Sequence, residues 1–373
     1  MNLSISKNAL YNALNTVSHA VSPNSPQPVL RGIKITADET GLTLIGSDAD
    51  ISIMKKIKAD EENKMNIVDT GSLLIESRYL TEIVRKLDSE IIQIEIVDGA
   101  LTKFSGSSAV FKINGMKPED YPNIDFRTIG NPISMDKNAL VSIIEGTAFA
   151  AATKDTRPVL TGVNFKLENN ILSCTATDSF RLAKKTMKFD LDDSFNITIP
   201  AKTMFEIKNS MLNDTVEKIE IYQNGKKVQF VSDDMIIQSR LLDGEYPETD
   251  RLIPKEFPYV LTIDREELIR AIDRTIFIKN ENMAINRLQC SADEIVITNR
   301  SQEIGESHEN LYGEYTGEPI DISFSANYVI SAAKYIGGRT IKICFSGQMK
   351  PFVILNTEDD SILQLVLPVR TYN

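Results

Sequence analysis

Two hydrophobic rhythms alternate along the chain. In six places a short strand-like run leads into apolar residues at helical spacing: Leu3–Val21, Ser72–Leu87, Ile133–Ala150, Ile197–Leu212, Leu261–Ile278 and Ile322–Ile336. Leu10, Leu14, Val17 and Val21 mark one such stripe, and Leu268, Ile272 and Ile276 another. In four of the six a capping residue stands four positions before an apolar anchor: Ser6 before Leu10, Asp136 before Leu140, Asp264 before Leu268, Ser325 before Val329. Ser and Asp at that place accept from the orphan N–H groups of a first helical turn. Between these segments the period drops to two, as in Ile92-Gln-Ile-Glu-Ile96 and Lys218-Ile-Glu-Ile-Tyr222. Asp98-Gly99 and Asn224-Gly225 punctuate such runs and predict antiparallel hairpins. The pattern predicts an α+β fold with helices packed on antiparallel sheet.

The rhythm repeats. Lys7-Asn-Ala-Leu10 returns as Lys137-Asn-Ala-Leu140, and Pro28-Val-Leu-Arg-Gly32 as Pro158-Val-Leu-Thr-Gly162. Leu42-Thr-Leu-Ile-Gly-Ser-Asp48 corresponds to Leu172-Ser-Cys-Thr-Ala-Thr-Asp178, so all three pairs keep one displacement of 130 residues. A shared register of this kind marks an internal repeat. A third copy is fainter: Ile263-Asp-Arg-Glu-Glu-Leu268 parallels Met135-Asp-Lys-Asn-Ala-Leu140, with Asn286-Arg-Leu-Gln-Cys290 in place of the Pro-Val-Leu-x-Gly element. Asp120-Tyr-Pro122 and Glu245-Tyr-Pro247 each close a copy. Three modules are expected, 1–128, 129–254 and 255–373, each with two helices on antiparallel sheet.

Length and composition agree with several cores: 373 residues, 42% hydrophobic and 25% charged. No apolar run approaches the roughly 20 residues a membrane helix needs, and the first residues do not read as a signal peptide. Cys174, Cys290 and Cys344 are widely spaced and odd in number, which points to buried thiols in a reducing cytoplasm.

Motifs of catalysis are missing. The run from Gly41 to Gly46-Ser47 lacks the lysine of a phosphate-binding loop and sits in a strand pattern. The two histidines, His19 on a helix end and His308 in an acidic loop, read as solvated residues and not as a zinc or catalytic pair. Asp190-Leu-Asp-Asp193 and Glu358-Asp-Asp360 lack calcium-loop spacing and read as solvated turns. No catalytic residue, metal site or cofactor is expected.

Several segments taken together resemble the bacterial DNA polymerase III beta subunit, the DNA sliding clamp family. They are Arg157-Pro-Val-Leu-Thr-Gly162, Ala176-Thr-Asp-Ser-Phe-Arg-Leu-Ala183, Ser239-Arg-Leu-Leu-Asp-Gly-Glu-Tyr-Pro247, Arg251-Leu-Ile-Pro254, Met349-Lys-Pro-Phe352 and Gln364-Leu-Val-Leu-Pro-Val-Arg370. They stand in family order over the whole chain. Two positions depart from the family: Phe180 stands where a histidine is frequent, and Asn24 where some members carry a basic DNA contact.

The resemblance implies the DNA clamp fold, closing as a six-module ring in a head-to-tail homodimer. Duplex DNA passes through the hole, and the ring tethers the replicative polymerase during DNA replication without catalysis of its own. Phosphate contacts carry no sequence information, so such a ring can slide. It further implies a partner-peptide cleft that captures short linear segments of polymerase and clamp-loader subunits. By position this cleft takes Leu160, Thr177, Ser179, Phe180, Arg181 and Leu182; Pro247, Arg251 and Leu252; Met349 and Pro351; and Leu365, Leu367, Pro368, Val369 and Arg370. Arg181 and Arg251 are expected to fix a peptide carbonyl or carboxylate at its rim. The resemblance also pairs Phe111 and Ile113 of one chain with Phe277 and Ile278 of the other. Arg78, Lys154, Lys202, Lys208 and Lys334 are the expected DNA-facing residues.

A net charge of −11 opposes nucleic-acid binding unless positive charge is segregated. The six helical stretches sum to +4, which leaves the remainder near −15. The residues alone leave two other readings open: an enzyme of nucleic-acid metabolism with an unrecognised site, and a repeat scaffold that does not encircle DNA.

Overall fold

Each of the six strand-to-helix transitions exists. The computed structural model describes every residue except 129, 155, 192, 213–215, 280–282 and 371–373. The 128/129 boundary and Asp192 of the first acidic run therefore touch undescribed positions. In chain order the elements begin β1 (Asn2–Ser6), α1 (Lys7–Ser18), β2 (Gly32–Asp38), β3 (Gly41–Ser47), β4 (Ile51–Lys58), β5 (Asn66–Asp69), β6 (Gly71–Glu76) and α2 (Ser77–Lys86). They continue with β7 (Ile91–Asp98), β8 (Leu101–Gly106), β9 (Ala109–Asn114), β10 (Ile133–Asp136), α3 (Lys137–Thr147), β11 (Gly162–Glu168), β12 (Ile171–Thr177), β13 (Arg181–Lys188), β14 (Phe195–Pro200) and α4 (Ala201–Ser210). Next come β15 (Lys218–Gln223), β16 (Lys227–Val231), β17 (Met235–Arg240), β18 (Tyr259–Asp264), α5 (Arg265–Asp273), β19 (Ile285–Cys290), β20 (Ile295–Ser301) and β21 (Gly305–Asn310). The last are β22 (Gly313–Thr316), β23 (Ile320–Ser325), α6 (Ala326–Ile336), β24 (Thr340–Phe345), β25 (Phe352–Asn356) and β26 (Ile362–Val366).

The chain divides into two compact units: residues 1–139 with 205–241, and residues 140–204 with 242–373. The first holds a five-stranded sheet, β5-β1-β7-β8-β9, and an eight-stranded sheet, β10-β15-β16-β17-β4-β3-β2-β6. Its helices α1 and α2 pack together and bury Leu10, Ala13, Leu14 and Val17 with Leu80 and Val84. The second unit holds a nine-stranded sheet, β14-β11-β12-β13-β26-β25-β24-β18-β22, and a four-stranded one, β21-β20-β19-β23. Its core gathers Leu268, Ile272, Val329 and Ala333 of α5 and α6 over Phe324, Phe345 and Phe352. Phe345 and Phe352 pack tilted with centroids 5.4 Å apart, a favoured aromatic geometry.

The repeat is visible in detail. The Pro-Val-Leu-x-Gly segments form 3-10 turns at Pro28–Arg31 and Pro158–Thr161, and each glycine starts a strand. A Cβ on Gly162 would come 2.6 Å from the Ile199 carbonyl oxygen, and one on Gly32 2.8 Å from Leu74 Cδ1. Close strand approach therefore explains the repeated glycine. In the first unit β4 pairs antiparallel with β17, and in the second β13 pairs with β26. Both joints carry the same clasp. Lys55 Nζ donates to Asp234 at 2.6 Å, and Lys185 Nζ, 130 residues on, donates to Asp359 at 2.9 Å.

Several expectations need correction. Ser6, Asp136 and Asp264 cap their helices, accepting from the N–H groups of Ala9, Ala139 and Glu267. Ser325 makes no such side-chain bond. Helix α5 stops at Asp273, so Ile276 lies past its end. The cause is a buried amide cluster: Asn299 Nδ2 donates to the carbonyls of Thr275 and Ile278, and Asn286 Nδ2 donates to Thr275 Oγ1 at 2.7 Å. These bonds satisfy carbonyls outside the helical ladder. Likewise α1 ends short of Val21, α3 passes into a 3-10 turn at Ala148–Ala150, and α4 ends at Ser210. His308 lies in β21 and not in a loop. His19 is not simply solvated: its Nδ1 meets Glu206 Oε2 at 2.8 Å.

Candidate peptide cleft and family membership

The segment Thr177-Asp-Ser-Phe-Arg181 makes a tight turn between β12 and β13. Asp178 Oδ1 accepts from the N–H groups of Phe180 and Arg181 at 2.9 and 3.0 Å, and Thr177 Oγ1 donates to the Arg181 carbonyl at 2.6 Å. Ser179 takes a left-handed φ of 77°. The turn therefore thrusts Phe180 outward, and its side chain stays 58% exposed. Behind it β13 registers on β26, Leu182 opposite Leu365, and the chain past β26 keeps pairing through the Leu367 N–H to the Phe180 carbonyl at 2.9 Å. Val369 N–H then donates to the Ser323 carbonyl at 2.7 Å. The alternating tail is thus a strand only to Val366.

The floor beneath is apolar. Leu182, Cys344, Val353 and Leu365 form a buried cluster against which Ile253 and Leu367 pack. Leu160 packs with Val159 and Tyr246, the residue before Pro247. Burial pushes the Tyr246 phenol and the three thiols upward, Cys344 to about 11 and Cys290 to about 12, so all stay neutral near pH 7. Arg251, Leu252 and Pro351 line an open depression of about 410 Å³, beside Met349. Leu252 and Met349 are each 55% exposed. Clustered exposed apolar side chains of this kind mark interaction sites.

Arg181 does not stand free at the rim. Its Nε donates to Asp178 at 3.0 Å and its Nη2 to the Phe149 carbonyl at 2.7 Å. The guanidinium lies 5.3 Å from the Phe149 ring centroid and 4.8 Å from that of Tyr328. Phe149 in turn stacks on Tyr335 at 4.7 Å. Burial raises the Tyr328 phenol pKa, so it remains neutral beside the cation. The Arg181 side chain is only 15% exposed. Phe149, Asp178, Tyr328 and Ile253 were not among the expected residues. Asp178 had a signal, since Asx side chains close turns of this composition, and Ile253 stood within the Arg251–Pro254 segment.

The first unit contains the same scaffold with other side chains. Ala49 takes φ 80°, Asp48 caps the Asp50 and Ile51 N–H groups, and Arg240 N–H bonds the Asp50 carbonyl at 2.9 Å. Where the second unit has Phe180 and Leu367, the first has Asp50 and Arg240, whose side chains pair at 3.7 Å. Only one of the two turns presents an apolar face.

The remaining expected residues are dispersed. Phe277 is 64% exposed, whereas Ile278 is only 4% exposed, so Phe277 supplies the open apolar area. Phe111 is exposed and Ile113 half-buried on β9. Arg78 pairs with Glu76 at 2.6 Å and lies 4.4 Å from the Tyr79 ring centroid, so its charge is partly engaged. Lys154, Lys202 and Lys334 are exposed and Lys208 half-buried. Among the described residues no three His, Cys, Asp or Glu side chains converge to hold a metal, and no helix is long and apolar enough to cross a membrane.

Comparison with known proteins identifies this architecture. Three family models match the chain in order: the DNA polymerase III beta subunit N-terminal domain over residues 1–125, its central domain over 134–248 and its C-terminal domain over 250–370. The chain is 37% identical to the beta sliding clamp of Bacillus subtilis and 36% identical to that of Halalkalibacterium halodurans, each over the whole of both chains. The crystal structure of the Bacillus subtilis DNA polymerase sliding clamp superposes with a TM-score of 0.94 at 36% identity, covering both chains entirely. That of the DNA polymerase III beta chain of Streptococcus pneumoniae gives 0.94 at 31% identity, covering 99% of this chain and all of the other. The chain belongs to the DNA polymerase III beta subunit family, the DNA sliding clamps of bacterial replication.

Proposed function

We propose that two copies of this chain close head to tail into a ring of six modules, 1–128, 129–254 and 255–373 from each, that encircles duplex DNA in the cytoplasm and performs no catalysis itself. The observation that carries this reading is a pair of open sheet edges. Strand β9 ends the five-stranded sheet with Val110, Phe111 and Lys112 exposed. Strand β21 ends the four-stranded sheet with Glu306 and His308 exposed. Open edges are templates for pairing with another chain. These two are unlike one another, which favours a heterologous contact that closes on itself. The lysine of one edge suits Glu306 of the other, and Phe277 adds an apolar anchor. Arg78, Lys154, Lys202, Lys208 and Lys334 then serve as weak phosphate contacts that permit sliding.

The second-unit cleft serves as the partner site. Phe180, Leu252 and Met349 supply its apolar face, with Leu160, Thr177, Ser179, Leu182, Pro247, Pro351, Leu365, Leu367, Pro368 and Val369 forming walls and floor, and Arg251 and Arg370 at its polar margin. Linear segments of polymerase and loader subunits are the occupants.

Topology supplies the test. Loaded on closed circular DNA, the protein should survive salt that releases ordinary phosphate binders, and cutting the circle should release it. Retention on the cut DNA at high salt refutes encirclement.

A further inference from the structure

Three cations gather over the depression beside the cleft. Arg251, Lys255 and Lys350 line it with Glu256 as the one acid, so it carries net positive charge in a chain of −11. Among the described residues none of the three side chains makes an ion pair or a hydrogen bond. The neighbouring carboxylate, Asp250, meets Lys184 Nζ at 2.5 Å and makes no ion pair with Arg251. Lys350 projects from a closed turn, in which its N–H donates to the Gly347 carbonyl and Ser346 Oγ to the Pro351 carbonyl. The rest of the lining is Leu252, Ile253, Pro254 and Pro351. Ile253 packs on the same apolar cluster that floors the cleft.

We propose that this depression is an acidic subsite of the peptide cleft. It takes aspartate or glutamate side chains that flank the apolar anchor of a partner's linear segment. The inference rests on the cleft reading and adds a charge requirement to it. Charge complementarity carries it: unpaired lysines and an arginine beside exposed Leu252 and Met349 match a ligand that is apolar at one end and anionic at the other. A nucleic-acid strand suits it less, since no aromatic ring lines the depression to stack a base.

The test uses the full chain and four labelled synthetic peptides. One carries a leucine-phenylalanine anchor with neutral flanks, two add three aspartates before or after it, and one adds three asparagines. Fluorescence anisotropy should show one aspartate peptide binding about threefold to tenfold more tightly than the neutral one, the scale of two partly exposed ion pairs. The gain should vanish in the Lys255→Gln/Lys350→Gln double variant and fall steeply in about 1 M salt, where the screening length is ~3 Å. The neutral peptide should bind parent and variant equally. Equal binding of the aspartate and asparagine peptides overturns the subsite, as does a gain that persists in the double variant. An oligo-dT strand that binds through these lysines while the aspartate gain is absent overturns it in favour of nucleic acid. Failure of every peptide to bind the parent overturns the cleft itself.

Discussion

Replacing Arg181 by Ala should cost the second unit about 3 kcal/mol of stability. The guanidinium gives one charge-assisted bond to a carboxylate and one to a main-chain carbonyl, and lies against two rings. Hydrogen bonds to charged groups contribute about 1.5–3 kcal/mol each, and cation–π contacts about 0.5–2, more as the cation is desolvated. The parts share one side chain and do not add, so a total somewhat below the low end of their sum is expected. Truncation leaves the Phe149 carbonyl without this donor and lets the Phe149–Tyr335 stack loosen. Lysine keeps the charge but cannot fork to both partners, so Arg181→Lys should lose about half as much. Urea denaturation followed by circular dichroism measures both, and peptide titration on the same samples separates two roles. If Arg181 acts by holding the turn, stability and peptide affinity fall together, with lysine intermediate in both. A change in stability below about 0.5 kcal/mol accompanied by a tenfold loss of peptide affinity would refute the reasoning and make Arg181 a direct ligand.

Three further outcomes are expected. Phe277→Asp should convert a dimer into monomers by light scattering, because it places a charge on the exposed apolar anchor of the proposed edge contact; an unchanged dimer mass places the contact elsewhere. Truncation after Leu367 removes the Val369–Ser323 bond and one wall of the cleft, so calorimetry should find no peptide binding while the dimer persists. Acid should loosen β21 from α5. Arg274 donates to both oxygens of Glu309 at 2.8 and 2.7 Å and, against the opposing effect of burial, holds its carboxyl below the ordinary 4.5. A depressed acid stabilises fully above its unfolded pKa and loses that contribution as pH falls through the folded one. The stability difference between the parent and Glu309→Gln should therefore shrink from about pH 5 to about pH 3, and a constant difference contradicts the assignment.

The sequence made the local structure readable because caps, hairpin dipeptides and apolar spacing act over a few residues. Asp136 and Asp264 announce α3 and α5 through bonds to their own first turns. The displacement of 130 residues carried over to the 3-10 turns, the left-handed Ala49 and Ser179, and the lysines of both clasps. Three features escaped because their causes lie far off in sequence. The pairing of β4 with β17 and of β13 with β26 has no local signal, since any strand with a free edge could serve. The end of α5 depends on Asn286 and Asn299, beyond the helix that they shorten. The occupation of Arg181 depends on Phe149 and Tyr328, one before it and one after, and neither lies in its motif. Motif order pointed to the candidate cleft segments, while the free or engaged state of each cation needed three dimensions.

The lysine clasps bear on synthesis. Strand β4 leaves the ribosome well before β17, and β13 before β26, so each waits as an open edge on a growing chain. A lysine on a waiting edge discourages pairing with strands of neighbouring nascent chains. Lys55 and Lys185 hold that position, and Lys56 and Lys184 stand next to them. When Asp234 or Asp359 finally emerges, the same charge that kept the edge unattractive to strangers becomes the latch for its own late strand. In both sheets the lysine thus stands on the edge that is completed last, and the late strand brings the carboxylate that it binds.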